Sequence, residues 1–199
     1  MSKKIIVATG NEGKIVEFRQ ILGDTGYEFL SLKDIGLQNM NIVEDGDTFE
    51  ANAIIKATAI AKETQEMVLA DDSGLEVDYL DKAPGVYSAR FLGEDTPYNI
   101  KNNHIIKQLE GVPDEKRSAR FVCVIACAYP DGKVFTTRGV VEGRIGYEER
   151  GENGFGYDPI FYVPELGCTT AELPIEKKNE ISHRGKALTA MYELLKEQL

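Results

Sequence analysis

The sequence has no long run of apolar residues. The run that follows Lys3 and Lys4 stops at Ala8, whereas the apolar core of a secretory signal needs about 7–15 residues. The longest other run, from Phe121 to Tyr129, is roughly half the length of a membrane span. We therefore expect a soluble, unexported protein that resides in the cytoplasm and has no membrane partner.

Cysteine and histidine are both scarce. The chain has three cysteines, an odd number, and two histidines. Without an export signal, the cysteines are expected to be reduced thiols. Cys123 and Cys127 lie four residues apart in a strand-like run, which favours buried structural residues. Neither His104 nor His183 has metal-ligand spacing to a partner, so no histidine metal site is expected.

Positive charge is in the minority. The chain has 23 Lys and Arg against 33 Asp and Glu, which gives a formal net charge of −10. Such a balance argues against nucleic acids and anionic membranes as partners, because both attract basic surfaces. It does not argue against a small anionic ligand that a few local Lys and Arg side chains hold.

Linkers, repeats and low-complexity tracts are also missing, so the sequence predicts a single domain over residues 1–199. Apolar residues make up 42% and charged residues 28% of the chain, as in ordinary folded domains. Strand–helix units come first and a long hairpin around Pro130–Lys133 follows, which together predict a mixed α/β sheet. The predicted strands cover residues 4–8, 27–32, 67–70, 75–80, 119–129 and 134–141; the predicted helices cover 15–22, about 48–66, about 97–110 and the C-terminal segment.

Two helix starts carry capping signals. Asp47 and Glu50 have the spacing of a capping box at the start of the Ala-rich helix. Thr96 followed by Pro97 is typical of an N-cap and a proline in the first helical position.

A glycine loop, Thr9 to Lys14, joins the first strand to the first helix. Glycines after a strand let backbone N–H groups approach phosphate oxygens, and the helix N-terminus adds partial positive charge. The spacing is not that of a Walker A loop. A tight turn with an exposed Lys14 explains the segment equally well.

The segment Asp71-Asp72-Ser73-Gly74 follows an apolar strand, at the edge where active groups collect in open α/β sheets. Oxygen ligands of this kind suit Mg²⁺. A polar turn between two strands is a slightly better interpretation of this segment taken alone. Glu44 is either a second metal ligand or part of a solvated acidic loop, and Lys56 either points into a cleft or lies on the surface.

Two motifs near the C-terminus could bind a nucleobase. In Gly154-Phe155-Gly156-Tyr157-Asp158-Pro159 an aromatic ring stands between glycines, which leaves room for a flat ligand. In Ser182-His183-Arg184 the guanidinium fork matches the O6/N7 edge of a 6-keto purine and opposes the 6-amino group of adenine. The alternatives are an aromatic pinned under a loop and a surface arginine at a helix start.

The motifs occur in a fixed order along nearly the whole chain: TGNEGK at 9–14, FEANAIIKA at 49–57, ADDSGL at 70–75, PGVYSAR at 84–90, GFGYDPIF at 154–161 and SHRGKAL at 182–188. Together they resemble the inosine/xanthosine triphosphate pyrophosphatase (ITPase) family. The resemblance implies an elongated mixed β-sheet flanked by helices, with two lobes and an active-site cleft between them. It also implies Mg²⁺-dependent hydrolysis of ITP, dITP and XTP to the monophosphate and pyrophosphate, by a homodimer.

The resemblance further implies a role for each matching residue. Glu44 and Asp72 would bind Mg²⁺, Asp72 would also be the general base, and Asp71 would support the metal shell. The residues implied in phosphate binding are Thr9, Gly10, Asn11, Lys14, Lys56 and Ser73. The residues implied around the base and sugar are Phe155, which would stack on the base, with Gly156, Tyr157 and Asp158, and Lys178, His183 and Arg184 at the 6-keto edge.

Two other functions stay open at the level of the sequence. A non-catalytic nucleotide-binding module would need the glycine loop and Phe155 but not the acidic set. A related pyrophosphatase that acts on modified pyrimidine triphosphates would share the architecture, although the GFGYDPIF and SHRG segments speak against it.

Overall fold

The computed structural model of the chain describes residues 4–197, so Met1–Lys3 of the basic N-terminal segment lie outside the described residues. The strands within this range are β1 (Lys4–Val7), β2 (Glu28–Ser31), β3 (Met67–Val77), β4 (Ser118–Ala128), β5 (Val134–Ile145), β6 (Phe161–Val163) and β7 (Cys168–Thr169). The α-helices are α1 (Glu12–Leu22), α2 (Phe49–Thr64), α3 (Tyr98–Gln108), α4 (Ile175–Ile181) and α5 (His183–Glu197). None of the helices within residues 4–197 is long and apolar enough to cross a membrane.

The strands form a seven-stranded sheet in the order β2-β1-β3-β4-β5-β6-β7. β1 is parallel to both β2 and β3, and β6 is antiparallel to both β5 and β7. Helices α1 and α2 connect the parallel strands, as parallel pairing requires a crossover, and the turn at Pro130–Lys133 connects β4 to its neighbour β5. The predicted mixed α/β sheet flanked by helices is confirmed.

The chain divides into two compact units. The first comprises the residues up to Asp72, residues 123–139 and the residues from His183 onward, and the second comprises Ser73–Val122 and Val140–Ser182. Three of the four boundaries between the units fall inside β3, β4 and β5, and the fourth lies between Ser182 and His183. That the whole chain is one domain with two lobes stays a prediction.

On one face of the sheet, the core of the first unit takes alternate residues of β1, β3 and β4 and one face each of α1 and α5; the residues between them, such as Ile6, Val68 and Val124, are buried as well. Because side chains alternate between the two faces of a strand, every second residue meets the helices. Cys123 and Cys127 are fully buried in this core, which confirms the prediction made for them. The other core residues are Ile5, Val7, Phe18, Leu22, Phe29, Leu69, Ile125, Ala187, Leu188, Met191 and Leu195.

The second unit has a core of its own, around Leu75, Ile105, Ile145 and Phe161. The guanidinium of Arg117 is buried beside it and donates to the carbonyls of Leu109, Ile145 and Gly146 at 2.6–2.9 Å. A charge can be buried here because hydrogen bonds to backbone acceptors replace those of water.

Three local predictions are wrong. Asp71–Gly74 is not a turn, because β3 continues without interruption from Met67 to Val77; the pairing of the strand overrides the turn propensity of Asp, Ser and Gly. The helix starts also differ. Thr48, not Asp47, caps α2 by accepting from the N–H of Ala51.

The start of α3 differs because Thr96 is engaged elsewhere. Its hydroxyl donates to the carbonyl of Leu92 at 2.7 Å and therefore does not cap the helix. The extended Pro97 precedes the first helical residue, Tyr98.

Gly139 on β5 lies where the sheet and α5 approach each other closely. A Cβ atom there would lie 2.0 Å from the carbonyl oxygen of His183 and 2.7 Å from the backbone nitrogen of Ala187. We expect Gly139→Ala to lower the free energy of unfolding by about 1–3 kcal/mol, as overpacking does, in urea titrations followed by circular dichroism.

Gly23→Ala is the matched control. Gly23 has φ of −57°, and a Cβ would meet nothing within 4 Å. Its replacement should be neutral or stabilise by about 0.4–1 kcal/mol. Equal effects of the two substitutions would contradict the close packing of α5 on β5.

Candidate active site

The glycine loop after β1 is organised by its own polar side chains. The side chain of Asn11 accepts from the N–H of Lys14 at 3.3 Å and so caps α1. The N–H of Asn11 in turn donates to the hydroxyl of Thr9 at 3.1 Å. These contacts give the loop a fixed shape at the N-terminus of a helix, where partial positive charge favours anions.

The two carboxylates of β3 have different surroundings because the strand is continuous. Successive side chains of a strand point to opposite faces, so Asp71 lies on the same face as Leu69, in the core with α1 and α5. Asp72 lies on the opposite face. The sequence analysis treated these adjacent aspartates as one site, but their side chains contact different residues.

Asp71 is almost completely buried and lies among cations. Its Oδ2 atom is 2.8 Å from Lys14 Nζ and 3.5 Å from Arg184 Nε. Burial by itself would raise the pKa of Asp71, but the charges of Lys14, Arg184 and Lys56 outweigh it and hold the pKa well below the usual range. Asp71 is therefore a permanent anion in the interior.

Arg184 is equally buried and has a second carboxylate partner. Its Nη1 atom lies 2.5 Å from Oε2 of Glu17, a residue of α1 that is only 4% exposed. Burial alone would lower the pKa of Arg184, yet Asp71 and Glu17 raise it above the usual value. The sequence placed Arg184 correctly at the start of α5 but gave no sign of this buried ion pair.

Asp72 shares its face of the strand with side chains of α2 and the acidic loop before it. Lys56 Nζ lies 3.1 Å from Glu44 Oε1 and donates to the carbonyl of Asp71 at 3.0 Å. Burial raises the pKa of Asp72 to about 6; Lys56 and a hydrogen bond from Asn52 oppose this rise, while Glu44 adds to it. Asp72 is thus a partly buried carboxylate with an unusually high proton affinity.

Asn52, like Glu17, is a residue of the site that the sequence analysis did not identify. It is buried in α2, and its Oδ1 atom accepts from the N–H of Gly46 at 2.8 Å. A Cβ at Gly46 would lie 2.7 Å from the Cβ of Ala51, so the acidic loop passes directly over the helix. The signal available in the sequence was an amide within an Ala-rich helix. Such an amide, if buried, must have a hydrogen-bond partner.

The charged groups around Asp71 and Asp72 sum to a slight excess of negative charge. Lys14, Lys56 and Arg184 face the four carboxylates of Glu17, Glu44, Asp71 and Asp72. With all of them ionised, three cations against four anions leave a formal charge of −1. Within residues 4–197, no three His, Cys, Asp or Glu side chains are grouped closely enough to form a complete metal cage.

In the second unit, Asp158 organises the loop that contains Phe155. Its Oδ2 atom accepts from the N–H of Phe155 at 2.8 Å and from Lys178 Nζ at 2.7 Å, and Oδ1 accepts from the hydroxyl of Thr170 at 2.8 Å. Lys178 Nζ also lies 4.8 Å from the centroid of the Phe155 ring. Lys178 and Asp158 form a buried ion pair beneath the loop.

Phe155 is the exposed aromatic residue of this loop. It is 39% exposed, whereas Tyr157 is buried and donates its hydroxyl to the carbonyl of Ser88 at 2.7 Å. Gly154 has φ of +75°, and a Cβ there would lie 2.2 Å from Asp158 Oδ2. Only glycine fits this position, and it lets Asp158 bind the N–H of the next residue.

The structure brings the predicted residues into two sets, one in each unit. The first set is Lys14, Lys56, Glu44, Asp71, Asp72 and Arg184, with Thr9, Gly10 and Asn11 in the loop before α1 and the buried His183 at the start of α5. The second set is Phe155, Gly156, Tyr157, Asp158 and Lys178. Ser73 follows Asp72 on β3.

Comparison with known proteins identifies the family. A sequence model of the Ham1 family matches residues 5–194. The dITP/XTP pyrophosphatase of Desulforamulus reducens is 53% identical over 96% of this chain and 95% of its own length, and that of Bacillus licheniformis is 51% identical over 97% and 98%. A solved structure of the Staphylococcus aureus Ham1 protein superimposes with a TM-score of 0.90 at 41% identity, over 99% of this chain and 100% of its own. Continuous similarity of this extent, across both units, shows that the chain belongs to the Ham1 family.

Proposed function

We propose that this chain hydrolyses non-canonical purine nucleoside triphosphates, ITP, dITP and XTP, to the monophosphate and pyrophosphate, and so removes them from the nucleotide pool. The single observation that carries the proposal is the arrangement around β3, where Asp71 holds Lys14 and Arg184 on one face and Asp72 lies near Glu44 and Lys56 on the other. The dITP/XTP pyrophosphatases to which the chain is about half identical support the choice of substrate.

A divalent cation, Mg²⁺, fits the residues on the Asp72 face. Glu44 and Asp72 offer only oxygen donors, and Mg²⁺ typically takes one or two carboxylates and completes its shell with water and substrate phosphates. One divalent charge would turn the local formal charge from −1 to +1, which favours a polyphosphate. When bound, Mg²⁺ would neutralise phosphate charge and polarise the phosphoryl oxygens.

The phosphates would be held by the loop after β1 and by two lysines. Thr9, Gly10 and Asn11 offer backbone and side-chain groups at the N-terminus of α1, and Lys14 and Lys56 supply full charges from two different helices. Ser73 follows Asp72 on β3 and would add a hydroxyl. Asp71 contributes by fixing the positions of Lys14 and Arg184, which is the support that we assign to it.

Asp72 would accept the proton of the water that attacks phosphorus. The attack breaks the bond between the α-phosphate and the β-phosphate, and pyrophosphate leaves. In the metal-free protein, burial raises the pKa of Asp72 to about 6, near the working pH at which a general base is most effective; a bound cation would lower this pKa. Asn52 and Lys56 would keep Asp72 oriented toward the water.

The purine would be recognised by its face and by its edge. Phe155 presents an exposed ring on which the base would stack, and Gly156, Tyr157 and Asp158 form the loop that holds it. We assign recognition of the 6-keto edge to Lys178, His183 and Arg184. The carboxylates of Glu17 and Asp71 fix the guanidinium plane of Arg184, and such planarity is what makes arginine selective.

We further propose that the enzyme is a cytoplasmic homodimer that binds neither nucleic acid nor membranes. This part of the proposal rests on the family resemblance and on the net charge of −10. Size-exclusion chromatography with light scattering tests the oligomeric state, and a monomer would contradict it.

Asp72→Asn should lower kcat for dITP by at least about 100-fold, because the substitution removes the proposed base, while the circular dichroism spectrum stays unchanged. Wild-type protein should release pyrophosphate and no orthophosphate. Asp131→Asn, in the exposed turn between β4 and β5, is the control and should keep full activity. Near-normal turnover by the Asp72 variant would refute the assignment of the base.

Asp72 should also make the metal-free protein less stable at neutral pH. The folded chain keeps the proton of Asp72 up to about pH 6, whereas the unfolded chain loses it near 3.8, so stability is lost as the pH rises between these values. In EDTA at pH 7.5, Asp72→Asn should therefore be more stable than wild type by about 2–3 kcal/mol, and the difference should vanish toward pH 4.

Added Mg²⁺ should then stabilise the wild-type protein more than the Asp72→Asn variant, because a ligand of the folded state shifts the unfolding equilibrium. Urea titrations with and without Mg²⁺ measure both effects. Equal stabilisation of the two proteins would refute Asp72 as a metal ligand.

Substitutions of Phe155 and Lys178 should have different effects on specificity. Phe155→Leu should raise KM for dITP and ATP by the same factor, because stacking tolerates any base. Lys178→Met should lower kcat/KM for dITP about tenfold more than for ATP, the size of one charge-assisted hydrogen bond. Lys177→Met, on the exposed side of α4, is the control, and an unchanged dITP/ATP ratio in the Lys178 variant would refute recognition of the 6-keto edge by this residue.

A further inference from the structure

The side chain of Asn102 connects α3 to the loop that presents Phe155. Asn102 is 1% exposed, and its Nδ2 atom donates to the carbonyl oxygen of Gly156 at 3.2 Å and to Glu149 Oε1 at 2.7 Å. Gly156 is the residue directly after Phe155, so the amide binds the second peptide unit after the stacking ring, the one between Gly156 and Tyr157. No motif that the sequence singled out includes Asn102.

Helix α3 is itself fixed on the side that faces this loop. The buried Lys101 donates from Nζ to the carbonyl of Ala89 at 2.6 Å and lies 4.8 Å from the centroid of the Tyr98 ring. The Tyr98 ring meets the ring of Tyr157 edge to face, with 5.3 Å between the centroids. Because α3 is held in place, the hydrogen bond from Asn102 to the Gly156 carbonyl can hold the loop in place as well.

An amide at position 102 has a cost and a specific gain. The Oδ1 atom of Asn102 is buried and has no hydrogen-bond partner within residues 4–197, and an unsatisfied buried acceptor is costly. A smaller apolar side chain would avoid this cost but would lose both hydrogen bonds that the amide donates, one to Glu149 and one to the Gly156 carbonyl. The second of these holds a loop whose glycine has φ of +69°.

We propose that Asn102 is a positioning residue for recognition of the purine, which it serves by fixing the Gly156 carbonyl and with it the orientation of the Phe155 ring. The inference rests on the proposed function, since it assumes that Phe155 stacks on the substrate base. Without the hydrogen bond, Phe155 would stay in the loop but its ring would adopt more orientations in the free protein. Binding would then cost more conformational entropy. Substrate affinity would fall, and the chemical step at Asp72 would be unaffected.

Steady-state kinetics with dITP test the proposal in Asn102→Ala, with Asn103→Ala as the matched control. Asn103 is the next residue of α3 and is exposed, and its side chain donates to the carbonyl of Asn99 within the same helix. Asn102→Ala should raise KM about threefold to tenfold, the value of one hydrogen bond, with kcat within about twofold of wild type. Asn103→Ala should match wild type in both constants.

A second variant protects the test against misfolding of the first. Glu149→Ala removes the exposed acceptor that orients the Asn102 amide and changes no buried side chain. It should raise KM in the same direction but by less than Asn102→Ala, and Glu148→Ala should have no effect. Unchanged KM in both the Asn102 and Glu149 variants, or a fall in kcat with unchanged KM, would overturn the proposal.

Fluorescence provides a measurement that does not depend on turnover. The chain contains no tryptophan, so Phe155→Trp introduces a single reporter in the loop. Adding Asn102→Ala to this protein should raise the acrylamide quenching constant of the reporter, whereas adding Asn103→Ala should not. An unchanged constant would overturn the positioning role, while a wild-type protein that fails to hydrolyse dITP would refute the proposed function without affecting this result.

Discussion

Asp71 is a carboxylate in a protein interior, and it can stay ionised there only because cationic side chains surround it. Removing a charge from water is expensive unless a partner of opposite sign is close. Lys14 from α1 and Arg184 from α5 supply that partner, at 2.8 Å and 3.5 Å. Two helices from opposite ends of the chain are thereby fixed to the same residue of β3, and Glu17 ties Arg184 back to α1.

The continuity of β3 separates the roles of two neighbouring aspartates. Since alternate side chains point to opposite faces, Asp71 is neutralised by cations, while Asp72 lies near Glu44 and has a pKa of about 6. One carboxylate is therefore a structural anion and the other a group that can take up a proton or share a cation. A turn at this point would have allowed both to face the same way and would have removed the distinction.

The loop around Phe155 is held by hydrogen bonds to buried polar side chains as well as by an ion pair. Asp158 accepts from Lys178, Thr170 and the N–H of Phe155, and Asn102 binds the carbonyl of Gly156. These buried polar contacts hold the loop that carries the ring, whereas the ring itself stays partly exposed. A rigid aromatic surface would lose little entropy if a flat ligand stacked on it, as we propose for the purine.

The sequence by itself determined the alternation of strands and helices, the hairpin at Pro130–Lys133 and the glycine loop, because periodicity and turn chemistry are local signals. The roles of the residues in both sets follow from ordered motifs and stay a prediction. The sequence did not determine that β3 runs through Asp71–Gly74, since local turn propensity and strand pairing conflict there and only pairing with distant strands decides. Nor did it reveal the partners of Arg184, Asn52 and Asn102. Glu17 and Arg184 are 167 positions apart in the chain. Only the tertiary structure brings them together, and because both are buried, each charge is stable in the interior only with the other beside it.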